Sequence, residues 1–182
     1  MAIRAVPVCY AGVLFRSTLE ADWAATLDSL AIDWQYEPEA VRLPSGELYR
    51  PDFYLPRITT WLEVKGPHEE RLAKAIELAR AVDHHPDCTG ATGDYERCCQ
   101  GEYQLVVVGL APVRGQTTWK VLCQVGGEPY DDGCLQECGN CGAWYWHGLG
   151  AYGCRAHRRH GYGDDDLGGA QEAPFVQIRH RA

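Results

Sequence analysis

At 182 residues with 46% hydrophobic content, the chain can bury a core of its own and carry one small appended module. Its net charge of −8 excludes a uniformly basic grip on nucleic acid, since phosphate affinity comes largely from Lys and Arg releasing counterions. No run approaches the ~20 apolar residues that span a bilayer, and no small-residue cleavage region precedes "RSTLEADWA". The expectation is therefore a soluble, intracellular (cytoplasmic) protein with no membrane partner.

Residues 17–30, "STLEADWAATLDSL", repeat apolar side chains at Leu19, Trp23, Leu27 and Leu30, the spacing of an amphipathic helix, with Ser17 as N-cap. "WQYEPEAVRL", a turn at "PSG", then "ELYRPDFYL" and "TTWLEVKG" read as three strands, the first two joined as a hairpin. Pro67 opens a second helix, "HEERLAKAIELARAV", with Leu72, Ile76, Ala79 and Val82 along one face. Residues 84–102 are rich in turn formers and lack periodicity, the mark of a loop insertion. "YQLVVVGLAP" is the near-continuous apolar run of a central strand buried on both faces.

Residues 1–122 thus predict an α/β core, a mixed central sheet flanked by helices, in the order helix, three strands, helix, strand. From 123 to 160 the composition shifts to Cys, Gly, Trp and Tyr, which predicts a separate small module. In the tail, 161–182, "GDDDLGG" is a solvated segment that holds part of the acidic excess, and "FVQIRHRA" either adds a strand or forms a basic extension.

Nine cysteines cannot all pair within one chain, and their clustering points to metal. Cys138-x2-Cys141, twelve intervening residues and Cys154-x2-His157 make two ligand pairs for a tetrahedral Zn²⁺, with a glycine after each of the first two cysteines to let the backbone turn around sulfur. His160 and Cys134 are alternatives for the fourth ligand. Four protein ligands close the ion to substrate, so this zinc would fold the module rather than catalyse. His84, His85, Cys88, Cys98 and Cys99 have metal-binding chemistry but irregular spacing, and Cys9 and Cys123 read as buried small apolar residues. Trp144, Tyr145, Trp146 and Tyr152 either stack on bases or pack around the zinc, with packing favoured; Arg155, Arg158 and Arg159 give the module a local basic surface suited to DNA.

The remaining chemistry lies in "YRPDFYLPRITTWLEVKG", residues 49–66. Strand alternation puts Trp61, Glu63 and Lys65 on one face and Leu62 and Val64 on the other, while the intervening residues allow Asp52 to turn back beside Glu63. Mg²⁺ is commonly held by one or two carboxylates with several retained waters, so Asp52, Glu63 and the carbonyl of Val64 are a candidate site. Such an ion would activate a bound water and stabilise charge on a phosphate, and Lys65 would orient the water or stabilise the transition state. The plainer reading is an exposed charged strand with Asp52 in a turn after Pro51. Arg16, Arg50, Arg71 and Lys74 are candidate phosphate contacts, and His68 a candidate at the site's edge; each is also an ordinary solvated side chain.

Pro51–Asp52 and Glu63–Val64–Lys65 together resemble the PD-(D/E)XK nuclease superfamily, and the similarity extends over roughly residues 10–112 because that superfamily's core runs in the element order given above. The resemblance implies a restriction-endonuclease-like fold and Mg²⁺- or Mn²⁺-dependent hydrolysis of DNA, with Asp52, Glu63 and Lys65 catalytic and the products a 5′-phosphate and a 3′-hydroxyl. It also implies a further acidic ligand on the first helix, a position matched by Glu20. "STLE" is equally a capping box in which Glu20 would reach back to the backbone N–H of Ser17, and both roles stay open.

The function expected is a Mg²⁺-dependent endodeoxyribonuclease with a structural Zn²⁺ and DNA as partner. Its economy suits a phage or mobile element, and a homodimer is compatible with the sequence. The alternative is a non-catalytic nucleic-acid- or protein-binding zinc protein on a nuclease-like scaffold. A third reading is a regulatory zinc protein in which Asp52, Glu63 and Lys65 form a salt bridge.

Overall fold

The computed structural model describes residues 6–65, 72–82, 104–108, 119–122, 129–130 and 134–147, together with Val176 and Ile178. These residues form a mixed α/β structure. A hairpin of β1 (Val8–Tyr10) and β2 (Val13–Phe15) comes first, turning through Ala11 and Gly12, both at positive φ. Two central residues of that kind match the right-handed twist of flanking strands. The helix α1 (Thr18–Ser29) follows, then β3 (Gln35–Tyr36), β4 (Val41–Arg42), β5 (Leu48–Tyr49) and β6 (Phe53–Leu55). A 3₁₀ turn at Pro56–Ile58 leads into β7 (Thr60–Val64). After α2 (Ala73–Val82) come β8 (Gln104–Val108), β9 (Trp119–Leu122), β10 (Pro129–Tyr130), β11 (Cys134–Glu137) and β12 (Trp144–His147).

The main sheet has the order β10-β9-β8-β7-β6-β3; β7 and β8 are parallel and every other neighbouring pair is antiparallel. Along β8 the side chains alternate between two cores. Val106 and Val108 join Phe53, Leu55, Leu62 and Val64 beneath α1, while Leu105 and Val107 join Trp61 and Tyr49 beneath α2. Burial on both faces accounts for the unbroken apolar run in this strand's sequence. Leu72, Ala75, Ile76, Leu78 and Ala79 provide α2's side of the second core, which includes three of the four positions expected from periodicity; the side chain of Val82 lies outside the described residues.

The first helix departs from a simple amphipathic pattern. Trp23 and Leu27 are buried and Leu19 and Leu30 partly so, but burial extends through every residue from Glu20 to Leu27. The polar side is covered by the chain near its C-terminal end, where the Val176 N–H donates to Thr26 Oγ1 at 3.0 Å and the Ile178 N–H to Asp22 Oδ1 at 2.8 Å. Those bonds satisfy a buried carboxylate and a buried hydroxyl that periodicity alone would leave facing water. Neither Val176 nor Ile178 belongs to a strand.

The two long strands expected over 34–43 and 47–55 are each broken. One hairpin carries both, with β4 paired to β5 near its turn and β3 paired to β6 at its base. Between the two ladders, residues 37–40 on one arm face 50–52 on the other, so the first arm holds one extra residue. Glu37 absorbs it at a φ of 45°, and Pro38 and Pro51 supply no N–H to continue the ladder. This bulge kinks the hairpin just where Asp52 enters β6, and the Glu37 N–H donates to the Asp52 carbonyl at 2.8 Å.

The sheet continues across residue 122, because β9 and β10 pair with each other. The hairpin β11–β12 forms a separate two-stranded sheet, yet Leu135 and Trp146 from it lie in the same buried cluster as Phe15, Trp23 and Leu62. No described helix is long and apolar enough to cross a membrane.

Candidate functional site

The pairing of β6 with β7 assembles the acidic site. Phe53 faces Leu62, and the next step of the same antiparallel register sets Asp52 opposite Glu63. Opposed residues share a face of the sheet, so the two carboxylates lie side by side while Phe53, Leu62 and Val64 fill the core beneath α1. Both acids are deeply buried, each 4% exposed. The Val64 N–H donates to Asp52 Oδ2 at 2.7 Å. The Lys65 N–H donates to the Val108 carbonyl at 2.8 Å and prolongs the β7–β8 ladder, which turns its side chain to Glu63's face; there Lys65 Nζ donates to Glu63 Oε1. The sheet thus places Asp52, Glu63 and Lys65 together, as the alternation predicts.

Glu20, 7% exposed on the first turn of α1, occupies the other end of the cluster. Ser17 caps the helix, its Oγ accepting from the Glu20 N–H at 3.2 Å. The reciprocal half of the capping box is displaced by one residue: Glu20 Oε2 accepts from the N–H of Arg16, not Ser17, at 3.1 Å, and also from the Tyr36 hydroxyl at 2.5 Å. Arg16 itself sits between the acids. Its Nη2 donates to Asp52 Oδ1, its Nε lies 3.1 Å from Glu37 Oε1 and the same atom lies 3.8 Å from Glu20 Oε2.

The electrostatics follow from this crowding. Burial pushes the Asp52 carboxyl up to about 7, and the neighbouring charge of Glu63 adds to the rise; the Val64 N–H opposes it, Glu20 reinforces it and Arg16 opposes it. Burial and the bond to Glu20 raise the Tyr36 hydroxyl to about 12, against the lowering effect of Arg16. Arg16 is held more firmly protonated than usual: burial works against its charge, but Tyr36, Asp52 and Glu20 outweigh that. On the far side, burial and then the charge of Glu63 raise the hydroxyl of Tyr49 above the ordinary phenol range. A hydrogen bond with Glu63 contributes to that rise, so the two groups are close, although neither Tyr49 Oη nor Glu63 Oε2 has a partner at full hydrogen-bond distance among the described residues.

Candidate DNA contacts are occupied by acids. Arg50 lies 4.0 Å from Glu37 and Lys74 Nζ lies 2.9 Å from Glu47 Oε2, while Arg16 serves the carboxylates above. His68, Arg71, Arg155, Arg158 and Arg159 lie outside the described residues, as do Cys154, His157, His160, Tyr152, Cys123 and the group His84, His85, Cys88, Cys98 and Cys99.

Cys138 and Cys141 stand on the tight turn between β11 and β12. The Cys138 N–H donates to the Ala143 carbonyl at 2.9 Å, and the Gly142 N–H returns to the Cys138 carbonyl at 2.8 Å. Of the two glycines expected to ease this turn, only Gly142 takes a positive φ, of 70°, where a Cβ would also meet Glu137 Oε1 at 3.2 Å. Tyr145 packs with Cys138, and Trp146 and Trp144 pack on the α1 core, so these aromatics serve packing. Cys9 is exposed, contrary to its reading as a buried apolar residue: it lies on the outer side of the β1–β2 hairpin opposite exposed Leu14. Among the described residues no three His, Cys, Asp or Glu side chains are grouped closely enough to enclose an ion by themselves.

Tyr36, Tyr49 and Glu37 escape a reading of the sequence because their contacts cross the kinked hairpin. The one available signal is that Tyr36 and Tyr49 flank the prolines that break it. Comparison with known proteins gives no match to a family model, a curated protein or a solved structure.

Proposed function

We propose that this chain is a metal-dependent deoxyribonuclease of the PD-(D/E)XK kind, hydrolysing DNA phosphodiester bonds with Mg²⁺ or Mn²⁺. The observation that carries the reading is the buried Glu63 Oε2, which has no hydrogen-bond partner among the described residues and stands beside a second buried carboxylate, Asp52. An ionised carboxylate oxygen withdrawn from water and left unpaired is unfavourable, and a hard cation is the ligand that relieves it. Asp52 and Glu63 would hold that ion, which when bound supplies Lewis acidity and an activated water. Lys65, fixed on Glu63, brings a positive charge to the same face to orient the attacking water or meet charge developing on the phosphate. Arg16 shields Asp52 from Glu20 and, being 58% exposed, is able to turn toward a phosphate when a cation takes its place. Glu20, engaged by two donors at one oxygen, is a cap and a brace rather than a ligand in this reading. Cys138 and Cys141 would supply half of a structural Zn²⁺ site, with Cys154 and His157 the rest.

The order helix, strands, helix, strand and the mixed sheet agree with the resemblance implied by Pro51–Asp52 and Glu63–Val64–Lys65. One observation favours the non-catalytic alternative: the guanidinium of Arg16 already neutralises Asp52. A cleavage panel separates the two. Supercoiled plasmid, linear duplex, single-stranded, flapped and four-way-junction DNA would be incubated with Mg²⁺ or Mn²⁺ and the wild type beside Glu63→Ala. Cleavage by the wild type alone supports the nuclease, whereas DNA binding with every substrate left intact supports the alternative.

A further inference from the structure

Arg16 is held in two unlike ways. Its backbone N–H is pinned, donating to Glu20 Oε2 and to the Tyr36 hydroxyl, each at 3.1 Å. Its side chain is 58% exposed and reaches over the acids, with Nη2 donating to Asp52 Oδ1 and Nε 3.1 Å from Glu37 Oε1. The two oxygens of Asp52 are answered just as differently. Oδ2 accepts the N–H of Val64, a backbone donor held in place by β7, whereas Oδ1 has the Arg16 guanidinium as its only hydrogen-bond partner among the described residues. Oδ1 is therefore the oxygen that Asp52 can offer to another cation. Two positive charges on one oxygen repel each other, so Arg16 and a divalent cation are alternatives there. Glu37 makes the exchange feasible. Its N–H donates to the Asp52 carbonyl at 2.8 Å, which fixes it beside the site, and its carboxylate keeps hold of Nε when Nη2 lets go of Asp52.

We infer that Arg16 is an autoinhibitory counter-ion of the acidic site: its guanidinium occupies Asp52 Oδ1 in the metal-free protein and has to leave that oxygen before a divalent cation binds. The inference rests on the reading of Asp52 and Glu63 as metal ligands. The Arg16–Asp52 pair, which taken alone favours a non-catalytic protein, is then the resting state of the site. Apparent metal affinity is reduced to the fraction of molecules in which Oδ1 is free. For an ion pair with one half-exposed partner that reduction is about fivefold at most.

The test is an isothermal titration of the full chain with Mn²⁺, comparing wild type, Arg16→Gln and Arg50→Gln, with thermal unfolding of each protein followed by circular dichroism with and without the ion. Arg50 is the control because it lies 4.0 Å from the same Glu37 but is not a partner of Asp52, so its loss removes an equal charge from the neighbourhood. Arg16→Gln is expected to bind Mn²⁺ about fivefold tighter than the wild type, and Arg50→Gln within about twofold of it. Without metal Arg16→Gln should have the lower Tm, and at saturating Mn²⁺ it should gain more in Tm than the wild type does. In the wild type itself, the guanidinium N–H signals of Arg16 in a ¹⁵N-resolved NMR spectrum should shift and exchange faster with water when Mg²⁺ is added. Affinity in Arg16→Gln equal to or weaker than wild type would overturn the inference and leave the metal site standing, with Arg16 a brace only. Equal tightening by Arg50→Gln would overturn it in favour of the general field of the basic residues. Arg16 signals unchanged at saturating Mg²⁺ would overturn it even if the variant failed to fold. Binding by Arg16→Gln but not by the wild type would support it, whereas Mn²⁺ binding by neither would overturn both this inference and the metal reading on which it rests.

Discussion

The acidic cluster has two ends that differ in how their charge is answered. At the α1 end, Glu20 receives two donors at one oxygen, and Arg16 spans Glu20, Glu37 and Asp52. At the β7 end, Glu63 receives Lys65 on one oxygen, while the other has no partner at full hydrogen-bond distance among the described residues. Glu20 and Glu63 are both buried carboxylates, 7% and 4% exposed, so neither charge nor depth sets the two ends apart. Hydrogen-bond satisfaction does: a buried polar atom in a folded protein ordinarily has a partner, and one without a partner calls for an explanation. The α1 end is complete as it stands, whereas the β7 end keeps one buried carboxylate oxygen without a partner among the described residues.

Glu63→Gln should have the largest effect on that contrast. Loss of partners beyond a ligand set costs about 10–100-fold, so if Glu63 holds the ion as proposed, its replacement is expected to reduce Mg²⁺-dependent plasmid cleavage by more than about 100-fold. Comparable rates for wild type and Glu63→Gln would remove the β7 end from the chemistry.

A pH series on the metal-free protein sharpens the comparison next. Asp52 titrates near 7 in the fold but at ~3.9 when unfolded, so between those values the native state holds a proton that the unfolded chain releases. Stability is therefore highest below about pH 4 as far as this group is concerned, and is lost as pH rises through about 7. Calorimetry should show Tm falling from pH 5 to pH 7.5, a slope that Asp52→Asn flattens and Mg²⁺ reverses. A slope unchanged by Asp52→Asn would assign it to other groups.

Tyr36→Phe probes the completed end. It deletes the donor 2.5 Å from Glu20 Oε2 and is expected to destabilise the fold by about 1.5–3 kcal/mol, the range for bonds to charged groups. Urea unfolding measures this directly, and Mn²⁺ affinity should not change. Loss of affinity without loss of stability would instead make Glu20 and its partners part of the metal site.

How much of this was legible in the sequence depended on the range of the interactions. The shared face of Glu63 and Lys65 needed only strand alternation, and the double burial of Leu105–Val108 needed only an unbroken apolar run. The position of Asp52 opposite Glu63 followed from a turn short enough to close. The kink in the preceding hairpin was not legible, because it depends on Glu37 adopting a left-handed φ that sequence does not mark for glutamate. Nor was the covering of α1's polar side, since Ile178 and Asp22 are 156 residues apart in the chain. "STLE" gave the capping box correctly for Ser17 but misplaced its return bond, which goes to Arg16. The Arg16–Asp52 pair joins residues 36 apart across a boundary between elements, where no periodic signal exists.

The most direct test of the account is Mn²⁺ calorimetry on Glu20→Gln beside Glu63→Gln. Glutamine at position 20 keeps an oxygen for Tyr36 and for the Arg16 N–H, so Glu20→Gln should bind Mn²⁺ as the wild type does, while Glu63→Gln should not bind it. Loss of binding in Glu20→Gln with binding retained in Glu63→Gln would place the ion at the opposite end of the cluster and contradict the account.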